Sequence, residues 1–339
     1  MEGIIHPLND DWMIGSLQFG GKRRTKDGGY NQDGVNPDNF NGDWVTPLMY
    51  DPNDQMSIYT MTNILYRSDD FGSTWNTLGN SFFGGNIQNA AIAENSSAIA
   101  ISHYNRLKIS YDGGMTFTEV SQSLPNQFIT DIAFDPNNDN TIIVTYGTYG
   151  NNNQKVYLSN NQGDTWQNIT HNLGNMPIRT VVIDHTEDST IYLGAEIGVY
   201  KKTMSEDSWE LYNENLPNTT VMELEVVYGS NTLRGTTWGR GVWEYSLAGR
   251  ENYPSIRTTS ISNQPTDTQP KEGIDQFVSS TIDYEGNLNS VYVEWVTESS
   301  SEIIQMSNSS DNIWVSDSAI PNFEAGTKVF FKVYAESTN

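Results

Sequence analysis

Five acidic residues of this 339-residue chain have the chemistry needed to break a glycosidic bond. That reaction uses two carboxyl groups facing each other across a cleft, one donating a proton while the other activates water or attacks the sugar. The candidates lie in predicted inner strands or inter-strand loops and are Asp33, Asp43, Asp131, Glu196 and Glu223. The chain contains 42 acidic residues, so such a set is weakly selective, and catalysis is an alternative hypothesis here.

Aromatic side chains in loops offer a second kind of chemistry, the binding of sugars. The faces of Trp and Tyr stack on pyranose rings, while Asn and Asp bond to the hydroxyl groups. The residues that we predict to bind a ligand, from their positions near inter-strand loops or a central face, are Trp44, Tyr104, Tyr146, Tyr149, Trp238 and Arg240.

Metal and cofactor chemistry has little support in the sequence. The chain has no Cys, and its four His residues are scattered without the spacing of a zinc site. The Asp- and Asn-rich loop 33–39 supplies oxygens suited to calcium but is not a full twelve-residue calcium loop. Neither a phosphate-binding GxxxxGK nor a GxSxG nucleophile motif occurs. We therefore predict no metal-ligand residues and no cofactor, with calcium at 33–39 as the alternative.

The most regular motif in the chain has the form S-x-D-x-G-x-T-W. The Asp or Asn side chain can bond the backbone two residues on, and Gly supplies a positive φ, so the motif predicts a tight hairpin with a structural role. Partial copies occur at 25–29 and 203–209. The three good copies are Ser68, Asp70, Gly72, Thr74 and Trp75; Ser110, Asp112, Gly114, Thr116 and Phe117; and Ser159, Asn161, Gly163, Thr165 and Trp166.

The copies mark a repeat whose openings fall at 25, 68, 110 and 159. Each repeat has four short segments with the period-two alternation of strands, which is the size and content of one blade of a β-propeller. We predict an all-β fold with a propeller over 1–249 and six visible repeats, or seven with a blade upstream. The repeats begin near Glu2, Trp44, Ile87, Phe128, Pro177 and Thr219.

The repeat stops after Gly249. Residues 250–273 are rich in Ser, Thr, Pro and Gln and are predicted to be a linker or a first edge strand. Residues 274–339 contain alternating strands typical of an Ig-like or fibronectin III-like β-sandwich. The chain ends soon after its longest strand, which predicts a module cut from a longer protein.

With these repeats, 1–248 resembles the Asp-box (BNR) propellers of the sortilin-like, sialidase-like and xyloglucanase-like families. It is most similar to the sortilin-like propellers of large secreted Bacteroidetes proteins, which close on a G-R-G-V-W stretch, here 239–243. The resemblance implies that each box is a turn on the outer edge of its blade, remote from a central site. The C-terminal part resembles the Ig-like modules that follow such propellers, often ahead of a type IX secretion sorting tail. The R-I-P motif of sialidases is absent.

The formal charge of −24 makes nucleic acid and anionic membranes poor partners, and no run of apolar residues is long enough to span a membrane. We therefore predict a non-catalytic extracellular or cell-surface module, part of a longer bacterial chain, that binds a glycan or a surface protein. The alternatives are a glycoside hydrolase of sialidase or xyloglucanase type and a sortilin-like propeller that binds peptides.

Overall fold

The computed structural model describes residues 2–7, 9–79, 82–150, 153–185, 189–250, 253–262, 273–284, 286–297, 300–324, 326–327 and 329–337. These residues form β-strands and three short 3₁₀ turns, at Gln18–Gly20, His171–Leu173 and Tyr228–Ser230. The prediction of an all-β chain is therefore confirmed. None of the helices in these residues is long and apolar enough to cross a membrane.

Five antiparallel sheets follow one another along the chain, each with four strands in sequence order from first to last. This arrangement is that of propeller blades, and the prediction of a β-propeller is confirmed. Their strands are β1 (Gly3–Ile5), β2 (Met13–Ser16), β3 (Lys22–Thr25), β4 (Asp33–Gly34); β5 (Leu48–Asp51), β6 (Asp54–Met61), β7 (Leu65–Ser68), β8 (Asn76–Leu78); β9 (Asn89–Ile92), β10 (Ile99–His103), β11 (Arg106–Ser110), β12 (Thr118–Glu119); β13 (Ile129–Asp135), β14 (Asn138–Tyr146), β15 (Val156–Ser159), β16 (Gln167–Asn168); and β17 (Ile178–Ile183), β18 (Ile191–Ala195), β19 (Val199–Lys202), β20 (Glu210–Leu211).

A sixth sheet differs from the others because its described residues form three strands. They are β21 (Val221–Val227), β22 (Thr232–Thr237) and β23 (Gly241–Ser246). The expectation of four strands in every repeat is wrong here, since no box follows β23 to start a fourth strand.

The buried apolar side chains lie between consecutive sheets. One cluster joins Trp12 and Ile14 of the first sheet to Ile58 and Phe71 of the second, and similar clusters join the second to the third, the third to the fourth and the fourth to the fifth. The second, third and fourth sheets are therefore apolar on both faces and are covered by a neighbouring sheet on each side, which is the packing of a propeller.

The order of the strands defines two ends of the sheets. Connections from first to second strand and from third to fourth lie at one end, which we call the box face because it carries the S-x-D-x-G-x-T-W turns. Connections from second to third strand, and those leading from one sheet to the next, lie at the other end, which we call the loop face. Backbone hydrogen bonds link neighbours on the loop face, such as that from the Ile129 amide to the Tyr104 carbonyl (2.8 Å).

Each box is held by a buried hydroxyl. The Ser110 Oγ donates to Asp112 (2.7 Å) and accepts from the Gly114 amide (2.9 Å), while Asp112 accepts from both the amide and the hydroxyl of Thr116 (2.8 and 2.6 Å). The hydrogen bond from the Thr116 hydroxyl is the largest influence that lowers the pKa of Asp112, to about 2. Ser68 and Ser159 make the same bonds in their boxes.

The partial box at 25–29 is more complete than its sequence indicates. The Thr25 hydroxyl takes the place of the serine, donating to Asp27 and accepting from the Gly29 amide (both 2.8 Å). The amide and side chain of Asn31 donate to the Asp27 carboxylate (2.9 and 2.6 Å), as the closing Thr does elsewhere.

The tryptophan that ends a box ties its sheet to the preceding one. The indole N–H of Trp75 donates to the Val35 carbonyl (2.9 Å), that of Trp166 to Val120 (2.9 Å), and that of Trp209 to Ile169 (2.8 Å). Each acceptor directly follows the last strand of the sheet before. Phe117 has no N–H and packs instead on Phe82, with ring centroids 4.6 Å apart.

The chain divides into two compact units, Met1–Glu225 with Gly235–Trp243, and Val226–Arg234 with Glu244–Asn339. In the second unit the strands, in the sheet order β24–β25–β28–β27–β26–β29, cover a core that includes Val293 and Trp295. Their bounds are β24 (Ser255–Ile261), β25 (Val278–Asp283), β26 (Leu288–Val296), β27 (Ser301–Ser310), β28 (Ile313–Ser316) and β29 (Phe330–Ser337). Of the predicted linker 250–273, residues 251–252 and 263–272 lie outside the described residues.

We predict that Ser110→Ala lowers the free energy of unfolding by about 1–3 kcal/mol, because it leaves the buried Gly114 amide without its acceptor. The measurement is urea unfolding followed by tryptophan fluorescence. Asp112→Asn is the matched control and should cost less, because Asn161 closes its own box: its Oδ1 accepts from the Thr165 amide and its Nδ2 donates to the Thr165 hydroxyl (both 3.0 Å). Equal losses in both variants would contradict the role given to the hydroxyl.

Candidate functional site

The loop face carries the exposed aromatic residues predicted to bind a ligand. The exposed fraction is 74% for Trp238, 71% for Tyr149, 62% for Trp44 and 57% for Tyr104. Three of them lie in connections from second to third strand, and Trp44 lies in the connection from the first sheet to the second. Tyr146 is wrong as a candidate, because it is wholly buried, with its ring packed edge-on against Tyr157.

Two of these residues are set by local contacts. Tyr104 occupies a left-handed backbone conformation (φ 52°), its amide donates to Gln88 (2.8 Å), and its ring packs edge-on against His103, 4.7 Å between centroids. Trp44 packs edge-on against Phe19, 5.5 Å between centroids. Both therefore present ring surface to solvent from supported positions.

Tyr149 belongs to a polar group that spans two sheets. Its hydroxyl hydrogen-bonds the Glu196 carboxylate, which raises the pKa of Tyr149. Glu196 also forms an ion pair with Arg179 (2.7 Å), and the Arg179 hydrogen bond is the main cause of the lowered pKa of Glu196. Glu196 is thus held ionised beside an exposed aromatic ring.

Trp238 continues this group onto the sixth sheet. Its amide donates to the Thr220 carbonyl (2.8 Å), and the Thr220 hydroxyl donates to the Glu196 carbonyl (3.3 Å). Arg240 lies two residues after Trp238 and is exposed, with no ion pair among the described residues. Tyr149, Glu196 and Trp238 therefore lie along one stretch of the loop face.

Carboxyl groups occur where the innermost strands begin, at the loop-face end of the sheets. Asp131 is the third residue of β13 and accepts hydrogen bonds from the Thr180 hydroxyl (2.8 Å), the Val181 amide (2.9 Å) and the Ile132 amide (2.8 Å). Burial, followed by the charge of Glu223, raises its pKa to about 6 against these bonds. With this raised pKa, Asp131 gains or loses its proton in the mildly acidic pH range.

Glu223 is the third residue of β21 and is exposed. Its charge raises the pKa of Asp131 and also that of Glu2, for which burial is the larger cause. Glu2 directly precedes β1, so the beginning of the first sheet and the first strand of the fourth sheet both lie near the first strand of the sixth. Glu223 therefore has Glu2 and Asp131 as neighbouring carboxyl groups at the loop-face end of these strands.

The other two predicted acids lie elsewhere. Asp33 is in β4, the outermost strand of the first sheet, and is paired in register with Arg24. Asp43 lies in the connection that carries Trp44 and accepts from the Asn86 side chain (2.9 Å). Neither belongs to the set formed by Glu2, Asp131 and Glu223. Of the loop 33–39, Asn36 already accepts from the Lys22 amide (2.7 Å).

Within the described part of the chain, no group of three or more His, Cys, Asp or Glu residues is arranged to hold a metal ion. Sequence reasoning missed Glu2, Arg179 and Phe19. Their positions in the repeat could have identified them. Glu2 precedes the first strand of its sheet, Arg179 is the second residue of such a strand, and Phe19 lies in a loop from second to third strand.

Known proteins resemble this chain in sequence and in fold. Residues 63–206 match the family described as sortilin, neurotensin receptor 3. A xyloglucanase from a Paenibacillus species is 25% identical over 227 residues, which cover 57% of this chain and 21% of that protein. This chain therefore spans about a fifth of the length of the curated relative that it matches.

Two solved structures of enzymes have a similar fold. The GH74 xyloglucanase from Xanthomonas campestris has a TM-score of 0.56 at 13% identity, covering 96% of this chain and 60% of that one. The Niastella koreensis GH74 enzyme has a TM-score of 0.53 at 16% identity, covering 95% and 58%. At these identities, the likeness shows the propeller fold.

These relatives overturn the prediction that the chain is a non-catalytic binding module, and the accompanying prediction that it is not an enzyme. The similarity to a xyloglucanase, together with two GH74 enzymes of similar fold, favours the glycoside hydrolase alternative. That prediction rested on the repeats, the acidity and the lack of a recognisable catalytic motif. Paired carboxyl groups leave no such motif, because their spacing in the sequence is unrestricted.

We predict that Asp131→Asn changes how stability depends on pH. Because the folded-state pKa of Asp131 is raised, this group contributes most stability below pH 4 and loses it as the pH rises to about 6. The difference in unfolding free energy, wild type minus variant, should therefore fall between pH 4 and pH 7. Urea unfolding at several pH values measures it, and a constant difference would contradict the raised pKa.

Proposed function

We propose that this chain is the propeller-bearing part of a glycoside hydrolase of xyloglucanase type and that its loop face holds a β-glucan chain. The single observation that carries the proposal is that exposed aromatic rings and the neighbouring carboxyl groups of Asp131 and Glu223 share the loop face. Sugar-cleaving enzymes need both features together, because stacking positions the substrate and a carboxyl pair performs the reaction. The similarity to a xyloglucanase supports the choice of substrate class.

In this proposal Tyr149 and Trp238 stack on sugar rings on either side of Glu196. The Arg179 ion pair keeps Glu196 ionised and fixed, so its carboxylate can accept hydrogen bonds from sugar hydroxyl groups while Tyr149 keeps its position. Trp44 and Tyr104 extend the contact surface around the ring of sheets.

Asp131 is the proposed general acid and Glu223 the proposed base. A general acid must carry a proton at the working pH, and burial gives Asp131 the raised pKa that this requires. Glu223 is exposed, and its charge acts on Asp131. A pair of carboxyl groups in such unlike environments is the arrangement that separates acid from base.

We also propose that the six sheets close into a ring and that 274–339 belong to an Ig-like module. Ring closure is supported by the interaction between Glu2 and Glu223 at the two ends of the series. The Ig-like assignment is supported by β27, whose first half pairs with β26 and second half with β28, so that strands on both sides cover the core. Action on a polysaccharide fits a bacterial protein that works outside the cell.

We predict that the purified chain releases reducing ends from xyloglucan and that Asp131→Asn and Glu223→Gln each lower kcat by about 10²–10⁴-fold. The rate should fall as the pH rises above about 6, because Asp131 then loses its proton. Assays of reducing sugar across pH 4–8 measure both effects.

Glu210→Gln is the control for these variants. Glu210 lies in β20, an outermost strand, and pairs with Lys201 (3.2 Å), so its loss should leave the rate unchanged. A wild-type chain inactive on xyloglucan and other β-glucans would contradict the proposed reaction. Full activity in Asp131→Asn would contradict the role of that residue.

We predict that Trp238→Ala and Tyr149→Ala each raise KM for xyloglucan by about 2- to 10-fold with little change in kcat, because a lost stacking contact costs about 0.5–1.5 kcal/mol. Steady-state kinetics measure the two constants separately. Tyr30→Ala is the matched control, because Tyr30 is 92% exposed and lies in a third-to-fourth-strand turn on the box face. A KM raised equally by Tyr30→Ala would argue against a binding surface on the loop face.

A further inference from the structure

A groove at the periphery of the second sheet carries a separate cluster of polar and aromatic side chains. Its volume is about 620 Å³, within the range of about 300–1,000 Å³ usual for ligand pockets. It lies between the connection that leaves the first sheet, the loop from β6 to β7, and the strands β7 and β8. Its lining includes none of Glu2, Asp131 and Glu223.

Two aromatic side chains form the wall of the groove and are fixed in place. Tyr66 is nearly buried, and its ring packs against Phe40, 5.6 Å between centroids. Trp75 is held by the bond from its indole N–H to the Val35 carbonyl. Neither ring needs to be ordered on binding, so ligand contacts with them carry a small entropic cost.

The remaining lining offers unused hydrogen-bonding groups. The side chains of Asp38, Asn39, Asn41 and Thr77 line the groove, are exposed, and make no hydrogen bond within the described part of the chain. The side-chain Nδ2 of Asn86 donates a hydrogen bond to Asp43, which leaves the side-chain oxygen of Asn86 to accept one from a ligand. Amide groups both donate and accept, as sugar hydroxyl groups do.

The geometry points to a second carbohydrate site in this groove, which takes a short stretch of a neutral oligosaccharide. Its lining residues, all within the described part of the chain, include one carboxylate and no Lys or Arg. With a chain charge of −24, an anionic ligand would be repelled. The partly exposed ring of Trp75, combined with amide and hydroxyl groups, favours a neutral sugar. The site does not depend on the proposed hydrolysis.

Hydrogen–deuterium exchange with mass spectrometry tests the site because it locates the bound ligand. The probes are cellotetraose and a xyloglucan-derived heptasaccharide, added to the wild-type chain. We expect protection of peptides covering 36–42 and 62–67. In Asn41→Ala/Thr77→Ala the oligosaccharide concentration giving half-protection should rise by roughly tenfold, since two hydrogen bonds are lost.

Asn76→Ala is the matched control, because Asn76 precedes Thr77 in β8, is exposed and does not line the groove. It should leave protection unchanged. Peptides containing Tyr149 and Trp238 report the proposed substrate surface independently. Protection there alone, or unchanged protection of the groove in the double variant, would overturn this site. Protection of 36–42 by an unrelated flexible peptide, and by neither sugar, would assign the groove to polypeptide and would also overturn it.

Discussion

Every part of the first unit depends on the need to cover both apolar faces of each small sheet. A four-stranded sheet such as β13–β16 has buried residues on each side, and it can be shielded from water only by another sheet on each side. A series of such sheets has two uncovered ends, and a ring removes both. The charge of Glu223 helps to raise the pKa of Glu2, which supports the proposed closure of the series into a ring.

The box turns serve that packing and do not serve chemistry. The carboxylates in these turns accept hydrogen bonds from residues of the same turn, as Asp112 does from the Ser110 hydroxyl and the Thr116 amide. Their tryptophan N–H groups reach back to the preceding sheet. Since Thr25 and Asn31 reproduce the same bonds with different residues, the geometry of the turn is what matters, and its sequence can vary.

The fold was largely predictable because its signal repeats. Three boxes in phase with apolar segments fixed the strand order, and Trp44, Tyr104, Tyr149 and Trp238 could be assigned to loops from their positions in the repeat. The sequence did not show at which residue β14 ends. Tyr146 was predicted to bind a ligand from a loop, but it is the last residue of β14 and its side chain is buried. The ion pair of Arg179 with Glu196 joins residues 17 apart, one in β17 and the other just after β18, and no sequence motif marks such a pair.

The candidate site also shows how a repetitive scaffold can acquire one specific arrangement. Asp131, Thr180 and Glu223 are each the third residue of a first strand, so the fold gives them equivalent places in three consecutive sheets. In the fourth and fifth sheets the register shifts beside this position, between Ile129 and Asp131 and between Ile178 and Thr180. Such bulges redirect side chains near functional sites. Thr180 then donates to Asp131 while Glu223 repels it. Three different side chains at one repeated position therefore produce a single carboxyl group with an unusual affinity for a proton.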